Sequence, residues 1–304
     1  MAAETEATPT RCGYIALVGA PNAGKSTLMN RLMGTKVSIV TPKVQTTRTR
    51  IIGVLVQGAA QLVFVDTPGI FAPRRRMERA MVAAAWSGAA DADVVVLLVD
   101  AERGITEDVR RIVEGLKKSG RPAVLALNKI DAVRRDSLLA LADTLNRDGV
   151  FSKIYMISAL TGDGVTDMLP ALAAKLPAGP WLYPEDHLTD MNDRLFAAEM
   201  TREQLFLKLR QELPYALTVE SEEWEERKDG SVAIRQVIFV ERESQRAIVL
   251  GKGGVTIKSV GAAARQELEA LWERRVHLFL FVKVREKWRD DPERYREMGL
   301  DFGD

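Results

Sequence analysis

Along roughly the first 175 residues, unbroken apolar runs alternate with stretches where apolar residues recur every three or four places. The unbroken runs predict strands at 14–19 (YIALVG), 51–57 (IIGVLVQ), 61–66 (QLVFVD), 93–100 (DVVVLLVD), 122–128 (PAVLALN) and 154–158 (IYMIS). DVVVLLVD and PAVLALN show no polar alternation, as expected of parallel strands with both faces covered by helices. The periodic stretches predict helices over 25–33, 77–89, 106–120, 136–149 and 164–176. The third opens on Thr106 with acids in its first turn and closes on KKSG, so cap, charge and glycine agree on its ends. Strand and helix in alternation give an α/β domain with a doubly wound sheet.

The pattern breaks at PAGPWLYPEDH (177–187), which holds three prolines. Beyond it the order is helix (193–212), strand (216–224), strand (231–241), short helix (244–250), loop, helix (255–272) and strand (276–284). That is a smaller α+β unit in the order α-β-β-α-α-β. The expected organisation is a disordered lead over 1–12, a first domain over 13–177, a linker over 178–192, a second domain over 193–288 and a tail over 289–304.

At 304 residues the chain can bury two ordinary cores. No stretch approaches the ~20 apolar residues of a membrane span, and MAAETEATPT is no secretory signal. The single cysteine, Cys12, excludes an internal disulfide and fits a reducing cytoplasm. His187 and His277 lie far apart without cysteine partners, which argues against zinc. A net charge of +1 implies no partner; its distribution is uneven, 242–289 carrying eleven Lys/Arg against five Asp/Glu, which on charge alone fits a nucleic-acid footprint or a solvated charged surface equally.

GAPNAGKS (19–26) fits G-x-x-x-x-G-K-[ST] between a predicted strand and a predicted helix, the context that motif requires. Gly19 and Gly24 let backbone N–H groups curl around a phosphate, through Ala20, Pro21, Asn22 and Ala23, and the helix adds its positive end. Lys25 would reach the β- and γ-phosphates, Ser26 would ligate Mg²⁺, and Thr27 continues the contact. DTPG follows the third strand. Asp66 can hold Mg²⁺ through water, Gly69 can meet a γ-phosphate with its amide, and Thr67, Pro68 and Ile70 complete that wall. In NKID, Asp131 can accept both donors of guanine's N1–H and N2 edge, which adenine lacks, while Asn128, Lys129 and Ile130 frame the base. The Ser158–Ala159 backbone would close over O6. The expected ligand is GTP. In TKVSIVTPKVQTTRTR (35–50), either Thr47 or Thr46 can supply a hydroxyl to Mg²⁺ once a γ-phosphate is present. Lys25, Thr47 and Gly69 are the expected catalytic groups.

A second glycine loop, VLGKGGVTI (249–257), lacks P-loop spacing but contains G-x-x-G: Gly251, Lys252, Gly253 and Gly254. Between two helices of an α-β-β-α-α-β unit, such a loop clamps about four nucleotides of single-stranded nucleic acid in type II KH domains. Ile248 and Lys258 flank it as further contacts. A P-loop phosphotransferase would leave NKID without a role. A constitutive RNA binder on a GTPase scaffold stays open, and a GTP titration of RNA affinity separates it from a switch.

GAPNAGKSTLMN, VQTTR, DTPGI and NKID, with PEDHLTDMNDRLFAAEMTREQLF and the G-x-x-G unit, resemble the Era family of small GTPases from about Tyr14 to Trp288. The resemblance implies GTP/GDP and Mg²⁺ as ligands, slow hydrolysis, contact with the 3′ end of 16S rRNA, and a role in 30S subunit assembly and ribosome biogenesis. It also implies a monomer in the cytoplasm with peripheral association at the inner face of the cell membrane. Ile70 stands where Ras-like enzymes carry a water-orienting glutamine, a hydrophobic replacement shared by Era-like proteins. Asn22 matches the position that coordinates K⁺ in potassium-activated relatives.

Overall fold

The computed structural model describes residues 9–44 and 46–302. Residues through Val37 and Thr47–Asp190 form one compact unit; Ser38–Thr46 and Met191–Phe302 form another. In the first, the chain runs β1 (Arg11–Gly19), α1 (Lys25–Met33), β2 (Ile51–Gln57), β3 (Ala60–Asp66), α2 (Arg76–Asp91), β4 (Val94–Asp100), α3 (Glu107–Ser119), β5 (Ala123–Asn128), α4 (Arg135–Asn146), β6 (Phe151–Ile157) and α5 (Val165–Ala173). The strands lie in the order β2-β3-β1-β4-β5-β6, all parallel except the β2–β3 hairpin. Every residue of β4 and β5 is buried, as an apolar run covered on both faces requires.

Two buried clusters sandwich that sheet, one with Leu28, Met168 and Leu172, the other with Ala85, Ile112 and Leu116. The helix α3 starts where Thr106 Oγ1 accepts from Val109 N, and ends at Gly120 with φ 65. Helices α4 and α5 stop three residues short of expectation because their last turns tighten, Gly149 N donating to Asn146 O and Leu176 N to Ala173 O. The strand β1 starts at Arg11, paired with Ala60, so residues 11 and 12 of the expected lead are ordered strand; residues 1–8 of it lie outside the described residues. The proline-rich segment lies along this unit. Gln61, fully buried, accepts from Leu182 N and Tyr183 N, and Val54 N donates to Leu188 O, covering the edge of β2.

The second unit contains α6 (Asp193–Lys208), β7 (Leu217–Glu226), β8 (Val232–Val240), α7 (Glu243–Leu250), α8 (Val255–Trp272), β9 (Val276–Val284) and a closing α9 (Pro292–Glu297). Its sheet runs β7-β8-β9, with β7–β8 antiparallel and β8–β9 parallel. Leu205, Val249 and Val260 from the helices meet Leu217, Ile238 and Val282 from the strands. Helix α6 ends at Lys208 rather than 212, where Leu209 turns to extended backbone and buries its side chain. At the end of the expected second domain Trp288 is fully buried and its Nε1 donates to Ala216 O; within the expected tail Tyr295 is fully buried and Arg294 lies over the Phe239 ring.

By length and composition alone, Glu243–Trp272 could cross a bilayer, a stretch the apolar-run criterion passed over. Its backbone leaves the helix at Gly251 (φ 72, ψ 168) and Gly253 (φ 63, ψ 20), so it is two helices flanking the second glycine loop.

Candidate nucleotide site and nucleic-acid interface

The first glycine loop joins β1 to α1. Asn22 (φ 65) and Gly24 (φ 97) take left-handed backbone, which turns the loop back on itself before the helix begins. A Cβ at Gly24 would sit 2.2 Å from Asn128 Nδ2, and one at Gly19 2.6 Å from Leu98 O, so both glycines are fixed by close approach. Lys25 is buried, with Nζ donating to Gly19 O at 3.3 Å and Ala20 O at 3.4 Å. Burial pulls its pKa below the ordinary lysine value, and the nearby Asp66 carboxylate offsets part of that. A polyanion in the loop would satisfy this desolvated ammonium, and Thr27 follows it in the same first turn of α1.

Three oxygens meet beside the lysine. Ser26 Oγ donates to Asp66 Oδ2 at 2.6 Å, Thr47 Oγ1 lies 2.9 Å from Ser26 Oγ, and Thr47 Oγ1 reaches the same Asp66 oxygen at 3.3 Å. Two hydroxyls and a carboxylate are the hard donor set that suits Mg²⁺, which keeps waters for its other positions. Thr46 is engaged elsewhere: its Oγ1 donates to Lys43 O at 2.8 Å and pairs with Thr41 Oγ1 at 2.7 Å. Of the two threonines the sequence left open, Thr47 is the one beside Ser26 and Asp66.

The DTPG segment leans on the same loop. Ile70 N donates to Gly19 O at 3.0 Å, and a Cβ at Gly69 would stand 3.0 Å from Pro21. Thr67 Oγ1 donates to Leu17 O, and Pro68 carries the chain onward. The Ile70 side chain is fully buried among Ala85, Ala89 and Val18, so it points into the core rather than toward a reacting water.

At the far end, Asn128 is 1% exposed and bonds twice: Nδ2 donates to Ala23 O at 2.8 Å, and Oδ1 accepts from Ala159 N at 2.9 Å. It straps the phosphate loop to the 158–160 loop, a role the sequence reading did not give it. Ser158 N donates to Asp163 O and Ser158 Oγ accepts from Thr161 N, so Ser158 and Ala159 spend their amides within the protein. Leu160, 67% exposed, is the open edge of that loop. Lys129 (φ 68) holds Asp100 at 2.5 Å, and Ile130 opens the short turn that presents Asp131. Asp131 is exposed. Sequence reasoning missed Asp100, and also Arg31, whose guanidinium donates to Ala159 O and Leu160 O. An acid ending β4 and a base in the last turn of α1 carry no motif of their own.

In the second unit, α7 and α8 are separated by Gly251–Gly254. A Cβ at Gly251 would lie 2.2 Å from Thr256 Oγ1, whereas Gly253 has open space around it. Lys252, Gly253 and Lys258 are exposed, and Ile248 is 58% exposed. A groove of about 400 Å³ runs between α8 and β9, lined by Ile257, Lys258 and Arg265 on one side and Leu278–Phe281 on the other. Ser38–Thr46 packs within this unit as well. Ile39 is buried beside Phe196 and Val232, Val40 N donates to Glu203, and Lys43 Nζ donates to Leu209 O.

Comparison with known proteins identifies the family of each unit. The family described as "50S ribosome-binding GTPase" matches residues 14–129, and the KH domain family matches 212–289. "GTPase Era" of Rhizobium meliloti (strain 1021) is 62% identical over 97% of this chain and 95% of its own length. That of Brucella suis biovar 1 is 58% identical over 98% and 96%. The chain belongs to the Era family. As a member of that family it is a GTPase, a P-loop α/β domain followed by a KH domain. A point variant of Aquifex aeolicus Era bound to GDP·AlF4⁻ superposes with a TM-score of 0.90 at 38% identity, covering 95% of this chain and 99% of that one. Era in complex with MgGDPNP and nucleotides 1506–1542 of 16S ribosomal RNA matches equally well.

Proposed function

We propose that this Era-family protein is a GTP-driven RNA-binding switch that holds the 3′ end of 16S rRNA through its KH unit and acts in assembly of the 30S subunit. The observation that carries the reading is that one chain joins a closed phosphate cradle to an exposed glycine loop and groove. On this reading Gly19–Thr27 wrap the phosphates, Lys25 neutralises charge between β and γ, and the Gly69 amide donates to the γ-phosphate. Ser26, Thr47 and Asp66 would hold Mg²⁺, which supplies charge neutralisation across the β- and γ-phosphates. Asp131 reads guanine's donor edge. Ile248, Gly251–Gly254 and Lys258 clamp the RNA backbone.

With Ile70 in the core, the side chain directly after DTPG orients no water, which supports slow intrinsic hydrolysis of GTP to GDP and phosphate, on the order of 10⁻⁴ to 10⁻² s⁻¹. Asn22, at the left-handed bend of the loop, adds an amide oxygen suited to K⁺, and turnover in KCl against NaCl tests that extension. The protein acts as a cytoplasmic monomer with peripheral association at the inner face of the cell membrane; sedimentation and membrane flotation test this.

The deciding experiment is filter binding of a single-stranded oligonucleotide from the 16S rRNA 3′ end, with the protein loaded with GDPNP or with GDP. A switch binds more tightly in one state. Equal affinity in both would leave a constitutive RNA binder on a GTPase scaffold, and no binding in either would remove the RNA assignment.

A further inference from the structure

Several arginines of the first unit pair with acids on their own helix, as Arg111 does with Glu107 and Asp108, and Arg147 with Asp143. Arg31, exposed in the last turn of α1, has no carboxylate partner among the described residues. Its guanidinium donates instead to two carbonyls 128 and 129 positions away, from Nε to Ala159 O at 3.4 Å and from Nη2 to Leu160 O. A Cβ at Gly162 would stand 3.7 Å from Arg31 Cδ, so the loop lies along the aliphatic stem as well.

The amides of that loop are nearly all engaged. Ser158 N donates to Asp163 O, Ala159 N to Asn128 Oδ1, Thr161 N to Ser158 Oγ and Gly162 N to Ser158 O. From 158 to 162, only the Leu160 N–H has no partner among the described residues. The peptide that carries it is the one whose carbonyl, Ala159 O, is held by Arg31. In a trans peptide the N–H and C=O point in opposite directions, so fixing the carbonyl on Arg31 turns the Leu160 N–H away from that side chain.

We propose that Arg31 is a positioning residue for guanine recognition, which aims the Leu160 N–H at the base's O6. The inference rests on the guanine reading given above. It moves the O6 donor from the Ser158 and Ala159 amides, both engaged within the protein, to the next residue. Guanine presents an acceptor at C6 where adenine presents an amine, so one N–H held in a fixed direction accepts the first and rejects the second. Direction matters because a hydrogen bond weakens steeply off line. Asn128 fixes only the peptide before Ala159, and Arg31 fixes the two that follow. Without the guanidinium, the 159–160 peptide can rotate and the donor loses its aim.

The test compares the parent, Arg31→Gln and Arg31→Lys as full chains in steady-state hydrolysis of GTP and of ITP, which keeps O6 and N1–H but lacks the N2 amine. Slow chemistry makes KM a measure of binding. Arg31→Gln should raise KM for GTP about five- to thirtyfold, as loss of an exposed charge-assisted contact implies. The value of kcat should stay within about twofold, because the groups that meet the γ-phosphate are untouched. KM for ITP should rise by the same factor. Arg31→Lys keeps one charged donor and should recover part of the loss. Arg31 is exposed, so the melting temperature of the nucleotide-free protein should not move. If Arg31→Gln leaves KM for GTP unchanged, or weakens GTP but not ITP, the aim at O6 is overturned. If KM rises while kcat and melting temperature fall together, and lysine restores nothing, Arg31 is only a brace for the fold. If the parent hydrolyses ATP as readily as GTP, the guanine reading itself fails.

Discussion

Both glycine loops combine left-handed backbone with one lysine, yet they treat the lysine in opposite ways. Lys25 is 6% exposed and held against the carbonyls of its own loop, with its charge made costly by burial. Lys252 stands in solvent on a three-residue turn with open space about Gly253. A buried ammonium inside a fixed cradle responds to a small, highly charged ligand that fills the cradle, and salt screens it little. An exposed one adds a screened contact to a long polyanion and discriminates hardly at all. Burial, more than residue type, separates nucleotide recognition from backbone recognition.

The largest expected effect is at Lys25. Lys25→Ala should lower GTP affinity by about a hundredfold or more and abolish turnover, because a charged hydrogen-bond donor to the phosphates is gone. Calorimetric titration checks this, and a loss under threefold would mean that the backbone cradle alone binds the phosphates. Next in size, Asp131→Asn should weaken GTP by on the order of a hundredfold and favour xanthosine triphosphate, whose C2 carbonyl pairs with an amide. Equal binding of GTP and ATP by the parent would end the guanine assignment.

At the second loop, Lys252→Asp with Gly253→Asp should cut RNA affinity about tenfold and make its salt dependence shallower by one or two phosphate contacts. GTP hydrolysis without RNA should stay unchanged. Aspartate tolerates the left-handed backbone of Gly253 at modest cost, whereas any Cβ at Gly251 meets Thr256, so the test leaves Gly251 alone. Unaltered RNA binding would reduce the loop to a turn between helices. The smallest effect on chemistry is expected from Ile70→Ala. Turnover should stay within about tenfold, while stability falls by roughly 2–5 kcal/mol for a fully buried side chain. A rate loss far beyond that in correctly folded protein would assign the side chain a catalytic part.

Much of this was written locally in the chain. The covered strands β4 and β5 follow from uninterrupted apolar runs, and α3 from its threonine cap and terminal glycine. The phosphate loop is legible because strand, glycines, lysine and helix are contiguous. What depended on distant partners was not. Thr46 and Thr47 are identical side chains, and only the position of Asp66 nineteen residues on selects one of them. Asn128 reads only as a frame for the base, and its bonds to Ala23 and Ala159 show only in the fold. The stretch 289–304 reads as a tail, yet Tyr295 is fully buried and Arg294 lies over the Phe239 ring of β8. Ile39 looks like part of a loop, yet its burial beside Phe196 places it in a core built from residues more than 150 positions away.

The Asn128 amide has one consequence for ligand choice. By bonding Ala23 O with one end and Ala159 N with the other, it works as a caliper, fixing the span from the first glycine loop to the 158–160 loop. A ligand therefore meets a gauge already set, and molecules whose charged and aromatic ends are spaced differently cannot satisfy both jaws. The ordering entropy of those loops was spent when the domain folded, so the full strength of each contact is left for affinity.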